Sequence, residues 1–243
     1  MLDKALFAVT ALCLAGSASA NIASLVPVSA TLTADNHYGL FLGDVDGGNL
    51  VSIGRNEYGH GGSPGSYNWS RAEHWDFLAG PGQYLYVMAW DDGGAQGWIG
   101  AFSWQSNTLQ SNTTDWLSSI APGANPGTSG NLPSSGVLEG YIASATWMSP
   151  AASAANGTTP WGSIAGVGNA RWIWHDSLAA NSASDGHFAM FRSVNPLVSA
   201  VPEPRTYAML GLGLGMVLLV ARRRQSLSGR GVLANVSRRP VMV

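Results

Sequence analysis

The body of this 243-residue chain predicts an all-β fold, an antiparallel β-sandwich, flanked by an N-terminal signal helix and a C-terminal hydrophobic helix. Three observations carry that prediction. Only 11% of residues are charged, against about 25% in a typical soluble protein, while Gly reaches 31 and Trp 10. Apolar or alternating runs of four to eight residues recur between clusters of Gly, Asn, Asp and Pro, the pattern of short strands and turns. No helical period of useful length interrupts them. Long-helix bundles, coiled coils and charged disordered tails are thereby disfavoured. A single Cys rules out an intramolecular disulfide or a multi-Cys zinc site.

Taken in order, residues 1–20 join Lys4 to the apolar run Ala5–Ala15 and end in Gly16-Ser17-Ala18-Ser19-Ala20. A basic start, a short apolar stretch and an Ala-x-Ala end predict a secretory signal peptide cleaved after Ala20, with Ala18 and Ala20 as the small residues at the site. Cleavage would remove Cys13, the only thiol, which suits an oxidising exterior.

Residues 21–200 form the body. Strand-like runs are Ala30–Thr33, Tyr38–Leu42, Leu50–Ile53, Gln83–Trp90, Gly97–Trp104, Val137–Ala145, Ala170–Trp174 and His187–Arg192. Tyr84–Trp90 is the strongest, and Asp91-Asp92-Gly93-Gly94 after it is a turn whose residues tolerate positive φ. Asp76–Gly82 reads as a strand end and turn. Asp115–Ile120 could make one or two helical turns, and 121–136 and 149–163 read as long surface loops.

Thr33-Ala34-Asp35-Asn36-His37-Tyr38-Gly39-Leu40-Phe41-Leu42-Gly43, then Trp75, then Gly82–Gly94 and Gly97–Phe102, occur in an order that resembles galactose-binding-like jelly-roll modules. The resemblance implies a jelly-roll-like sandwich closed by Arg171–Trp174 and Phe188–Arg192. Fold alone does not assign a ligand.

Polysaccharide binding is the sharp hypothesis for the aromatics, since sugar rings stack on exposed Trp and Tyr while Asp, Asn and Arg satisfy hydroxyls. Candidate contacts are Tyr67, Trp69, Arg71, Trp75, Asp91, Asp92, Trp116 and Trp161. Core packing competes for every one of these tryptophans and is the stronger reading for Trp90, Trp98, Trp104, Trp172 and Trp174, which sit on strand-like runs. Asp44, Asp46 and Asn49 in Asp44-Val45-Asp46-Gly47-Gly48-Asn49 resemble part of a calcium loop but lack its bidentate acid, and a polar hairpin turn explains them better. No cofactor is expected beyond that structural calcium, which is common in galactose-binding-like folds.

No catalytic residue is assigned. The five His lack metal-ligand spacing, and no Gly-x-Ser-x-Gly elbow occurs. A secreted glycan-processing enzyme remains the alternative, and it needs two carboxylates, among Glu73, Asp76 and Glu139 for example, facing each other across a cleft.

At the C-terminal end, Val201-Pro202-Glu203-Pro204 is an extended spacer, because prolines spaced by one residue neither continue a helix nor pair as an interior strand. Tyr207–Ala221 is then uncharged for fifteen residues, about 22 Å as a helix, and Arg222, Arg223 and Arg224 follow. A hydrophobic helix over 207–221 is short for a hydrocarbon core of about 30 Å, and the arginines should stay cytoplasmic. This order resembles the PEP-CTERM sorting tail of exported Gram-negative bacterial proteins.

The resemblance covers 201–224. It implies Pro202, Glu203 and Pro204 as the sorting motif, Arg222–Arg224 as the membrane-flanking basic cluster, and an exosortase-type membrane protease as partner. Localisation follows: export across the inner membrane, transient anchoring by the tail, then the cell surface or exterior. A plain C-terminal membrane anchor is the other alternative. Residues 225–243 add a basic extension, expected to be disordered, beyond the point where such tails stop.

Charge divides along the same boundaries. The body carries 4 Arg against 12 Asp and Glu, a net −8, while 201–243 carry 7 Arg against 1 Glu, a net +6. The overall −2 therefore averages two compartments. An acidic released body argues against nucleic acid as a partner. The expected protein is an exported, non-enzymatic envelope or matrix component whose sandwich binds extracellular polysaccharide.

Overall fold

The structure is a computed structural model that describes residues 25–56, 69–128, 130–179, 186–199 and 210–218. The chain divides into two units: Ile22–Ala200, and a second made of Met1–Asn21 with Val201–Val243. The signal segment with Ala18 and Ala20, the motif Pro202–Pro204, Tyr67, Arg222–Arg224 and the extension 225–243 lie outside the described residues.

The body is two antiparallel sheets. In chain order the elements are β1 Val26–Asp35, β2 His37–Gly43, β3 Val51–Arg55, β4 Glu73–Ala79, β5 Tyr84–Trp90, β6 Gly97–Trp104, β7 Asn107–Gln110, β8 Trp116–Ala124, α1 Ser135–Ser144, β9 Ala152–Ala155, β10 Arg171–Trp174 and β11 His187–Ser193. One sheet runs β4-β1-β6-β10-β9, with β7 also on β6; the other runs β3-β2-β5-β11-β8.

Alternation along the strands builds the core between the sheets. Val28, Ala30, Leu32 and Ala34 of β1, Leu85, Val87 and Ala89 of β5, and Trp98 and Phe102 of β6 meet there with Tyr38, Leu40, Trp116 and Phe191. Trp98 packs edge-on against Trp116 at 4.7 Å and against Phe191 at 5.6 Å. The open side between the edge strands is closed by a short polar chain: Trp75 Nε1 donates to the Tyr38 hydroxyl at 2.7 Å, and that hydroxyl donates to Glu73 at 3.1 Å.

Much of the two outer faces is covered as well, and this explains why β5 is apolar without alternation. On the β2-β5-β11-β8 sheet, Leu138 and Ile142 of α1, one helical turn apart, pack over Phe41, Tyr86, Met88, Trp90, Phe188 and Met190. On the other sheet, Trp161, Ile164, Val167 and Ala170 of a strap over 156–170 pack on Ile99 and Trp172.

Four local expectations change. The loop expected over 121–136 is shorter, because β8 runs on to Ala124 and α1 starts at Ser135. Val137–Ala145, expected as a strand, is the helix α1, because its apolar residues that reach the sheet are Leu138 and Ile142, spaced by four. Asp115–Ile120, expected as helical turns, enters β8, whose register runs Ser193 opposite Trp116 to Ala189 opposite Ile120. The loop expected over 149–163 contains the small-residue edge strand β9, paired to β10. In the terminal unit, 210–218 is helical, and no described helix is long and apolar enough to cross a membrane.

Candidate functional site

The two motif segments singled out in the sequence meet at one end of the sandwich. The β1–β2 corner, Asp35–His37, lies beside the turn after β5. Asn36 Oδ1 accepts the Asp92 N–H at 2.6 Å, and His37 Nε2 pairs with Asp92 Oδ2 at 2.5 Å. His37 is fully buried and stacks on Trp90 with ring centroids 5.0 Å apart. Gly93 and Gly94 carry φ of 118° and 99°, the conformation predicted for this turn, and Asp91 Oδ2 accepts the Gly93 N–H. Asn125 Nδ2 donates to the Asp91 carbonyl at 2.6 Å, tying the start of the 125–134 loop to the same turn.

Asp35 is the buried anchor of this end. Its Oδ2 accepts the Trp161 indole N–H at 2.7 Å and its Oδ1 accepts Asn36 Nδ2 at 2.9 Å. Burial pushes the Asp35 carboxyl above its ordinary range, while the Trp161 hydrogen bond and the neighbouring His37 pull it back. With a folded pKa above the unfolded one, its contribution is fully present below the unfolded value and is lost as pH rises through the folded one. Trp161→Phe removes the donor that steadies the ionised form and should cost about 1–3 kcal/mol at neutral pH. The deficit should shrink in acid, where Asp35 is protonated. Urea unfolding at pH 7 and pH 4 checks this, and a deficit equal at both would assign the loss to packing alone.

The predicted glycan contacts separate into groups. Asp91, Asp92, Trp69 and Arg71 lie at this end, since Leu32 of β1 pairs with Glu73 and the chain before β4 continues toward Asp35. Trp69 is half-buried against the strap cluster and Arg71 is exposed. Two candidates keep their rings buried and a third is partly buried. Trp116 is fully buried in the inter-sheet core, its N–H donating to the Gln110 carbonyl. Trp161 is 3% exposed, stacked on Trp172 at 4.3 Å. Trp75 faces inward over Gly54, where an added Cβ would lie 2.4 Å from its ring.

The Asp44–Asn49 segment is the β2–β3 hairpin turn. Gly48 N–H goes to Asp46 Oδ1 at 3.3 Å, and Asn49 Nδ2 donates to Asp44 Oδ2 at 2.8 Å. The carboxylates thus serve the turn itself, with the Asn49 amide as a donor to one of them. Among the described residues no group of three His, Cys, Asp or Glu could hold a metal. Beside the turn, the buried Tyr86 hydroxyl donates to the Asp44 carbonyl. Burial, offset in part by Arg192, pushes its pKa up to about 12.

The carboxylates that the glycosidase alternative would use are not brought together. Glu73 is buried against Tyr38, Asp76 is exposed on the outer side of β4, and Glu139 on α1 accepts the Leu50 N–H at 3.0 Å.

A feature that sequence reasoning missed lies on the outer face of the β4-β1-β6 sheet. Ser29 pairs with Asp76 on one side and Ser103 on the other, and Ser103 pairs with Thr108 of β7. Asp76, Ser29, Ser103 and Thr108 therefore form one exposed row across four strands. Two residues along the strands, Leu78 pairs with Pro27, and Gln105 follows β6. Between the rows, Val28, Phe77 and Trp104 turn inward to the core. The result is an open trough of about 450 Å³. The strap bounds it on one side, with Gln110 Nε2 donating to the Val167 carbonyl at 3.2 Å. Ser29, Ser103 and Thr108 look like ordinary outward strand positions in the sequence, and only the register aligns them.

Residues 200–225 match the PEP-CTERM protein-sorting motif. That motif implies export and sorting by an exosortase, a membrane protein, through a membrane-anchored tail. No curated protein and no solved structure matches the chain.

Proposed function

We propose that this chain is an exported, non-enzymatic envelope or matrix protein whose β-sandwich binds extracellular polysaccharide after its tail has been processed. The observation that carries the reading is the sorting motif over 200–225 behind a two-sheet body. Export places the body among extracellular polymers, and its exposed surface offers hydroxyl, amide and carboxylate groups of the kind that sugar hydroxyls pair with. The hydrogen bond and the His37–Asp92 pair that join the Asp35–His37 corner to the Asp91–Gly94 turn support the jelly-roll-like resemblance, in which those two segments recur in the same order.

Intact mass of the protein released by the producing cells, together with its retention on that strain's exopolysaccharide, tests the reading. The expected species lacks both the signal and the residues beyond the Pro-Glu-Pro motif, and it is retained. A released species still ending at Val243, or one that passes every polysaccharide unretarded, overturns it.

A further inference from the structure

We propose that the trough across β4, β1 and β6, whose polar row continues onto the exposed Thr108 of β7, binds an extended, neutral, β-linked polysaccharide chain lying across the strands; this rests on the polysaccharide reading above and names its site and ligand class. The first argument is spacing. Neighbouring strands are about 4.8 Å apart, so the row Asp76, Ser29, Ser103, Thr108 repeats short oxygen-bearing side chains at that interval. An extended β-linked glycan repeats its hydroxyls at nearly one such interval per sugar, so successive residues meet successive strands. A flexible α-1,6-linked chain such as dextran holds no such register.

The second argument is the shape of the walls. One side of the trough is polar, with Asp76, Ser29 and Ser103; the other carries Leu78 and Pro27, with the Gln105 amide at its end. Leu78 is 54% exposed and stands beside the exposed Pro27. A pyranose chain is amphipathic in the same sense, with C–H surface beside hydroxyl edges. Leu78 and Pro27 take the C–H surface, and the opposite row exchanges hydrogen bonds with the hydroxyls.

The third argument is charge. The trough lining holds one carboxylate and no Lys, Arg or His, on a body of net −8. A uronate-rich or sulfated chain would place like charge against Asp76 in an acidic field, which costs affinity and slows encounter. A neutral chain meets no such barrier, and Asp76 then accepts from its hydroxyls through charge-assisted bonds. The open form of the trough admits an internal segment of a chain rather than only its end.

Affinity electrophoresis of the full-length protein in gels containing hydroxyethyl cellulose, carboxymethyl cellulose or dextran tests this. The first two share a β-linked backbone and differ in charge, whereas dextran is neutral and α-linked. Hydroxyethyl cellulose should retard the protein at least tenfold more strongly than either of the others. Ser29→Trp, which fills the trough at an exposed position, should abolish retardation, and Asp76→Ala should weaken it at least fivefold. Near-UV circular dichroism of each variant shows whether the fold is kept, and Thr108→Trp on β7 provides a second obstruction at another strand. Stronger retention on carboxymethyl cellulose or dextran, or retention that folded Ser29→Trp and Thr108→Trp leave unchanged, overturns the inference while polysaccharide binding stands. No retention on any of the three gels overturns the inference as well, and if the strain's own exopolysaccharide also fails, the parent reading falls with it.

Discussion

Trp98→Ala should lower the stability of the body by about 3–5 kcal/mol, the range for removing a large aromatic from a core. Trp98 is fully buried on β6, where its ring meets Trp116 and Phe191 edge-on and so links the two sheets at one point. Its strand neighbours cannot close the gap. Gly100 has no side chain, and a Cβ there would already lie 2.7 Å from Leu32. Residual cavity therefore adds to the lost transfer energy. Because domains are stable by only about 5–15 kcal/mol, the change takes a large share of the total and should shift the urea midpoint strongly at constant slope. Trp104→Ala is the internal comparison. That ring is only partly buried against the same core, so its loss should be clearly smaller. Equal losses at the two positions would mean that packing between the sheets is not what Trp98 supplies.

The contrast between these two tryptophans also shows what the sequence could and could not reveal. Strand runs such as Tyr84–Trp90 and Gly97–Trp104 were legible because burial on both faces writes a continuous apolar segment. The turn at Asp91–Gly94 was legible because positive φ leaves a compositional mark. The helix α1 was not, since its hold on the sheet rests on Leu138 and Ile142 alone, within a segment that also contains Gly136 and Gly140. The glycan candidates misled for a related reason. Composition marks Trp as a residue that can stack on sugar, but Trp116 and Trp161 are placed by register and by a loop that folds back over 126 positions to reach Asp35. The trough was invisible on the same ground, because it is made by pairing, and hydroxyl side chains at outward positions are unremarkable until neighbouring strands align them.

The largest effect on cellular fate should come from Arg222-Arg223-Arg224→Glu. The uncharged segment Tyr207–Ala221 is about 22 Å as a helix against a hydrocarbon core of about 30 Å, so its apolar surface alone anchors the tail weakly. On the proposed reading, what holds the segment is the cost of drawing three arginines out of the cytoplasm, against both desolvation and the membrane potential. Acidic replacements invert the potential term and remove the basic stop. The motif at residues 202–204 would no longer be held at a fixed depth for a membrane protease to cut. Fractionation with intact mass spectrometry should find unprocessed chain ending at Val243, spread between membrane and medium, where the parent protein yields a processed body. The net charge of the released species stays the same while its size does not. Processing separates a body of −8 from a tail of +6, whereas the substitutions leave 4 Arg against 4 Glu in a retained tail of net 0, so the unprocessed variant keeps −8 on a larger chain and migrates more slowly in native gels. Normal processing of the variant would show that the basic cluster is dispensable and that the motif and the apolar segment suffice.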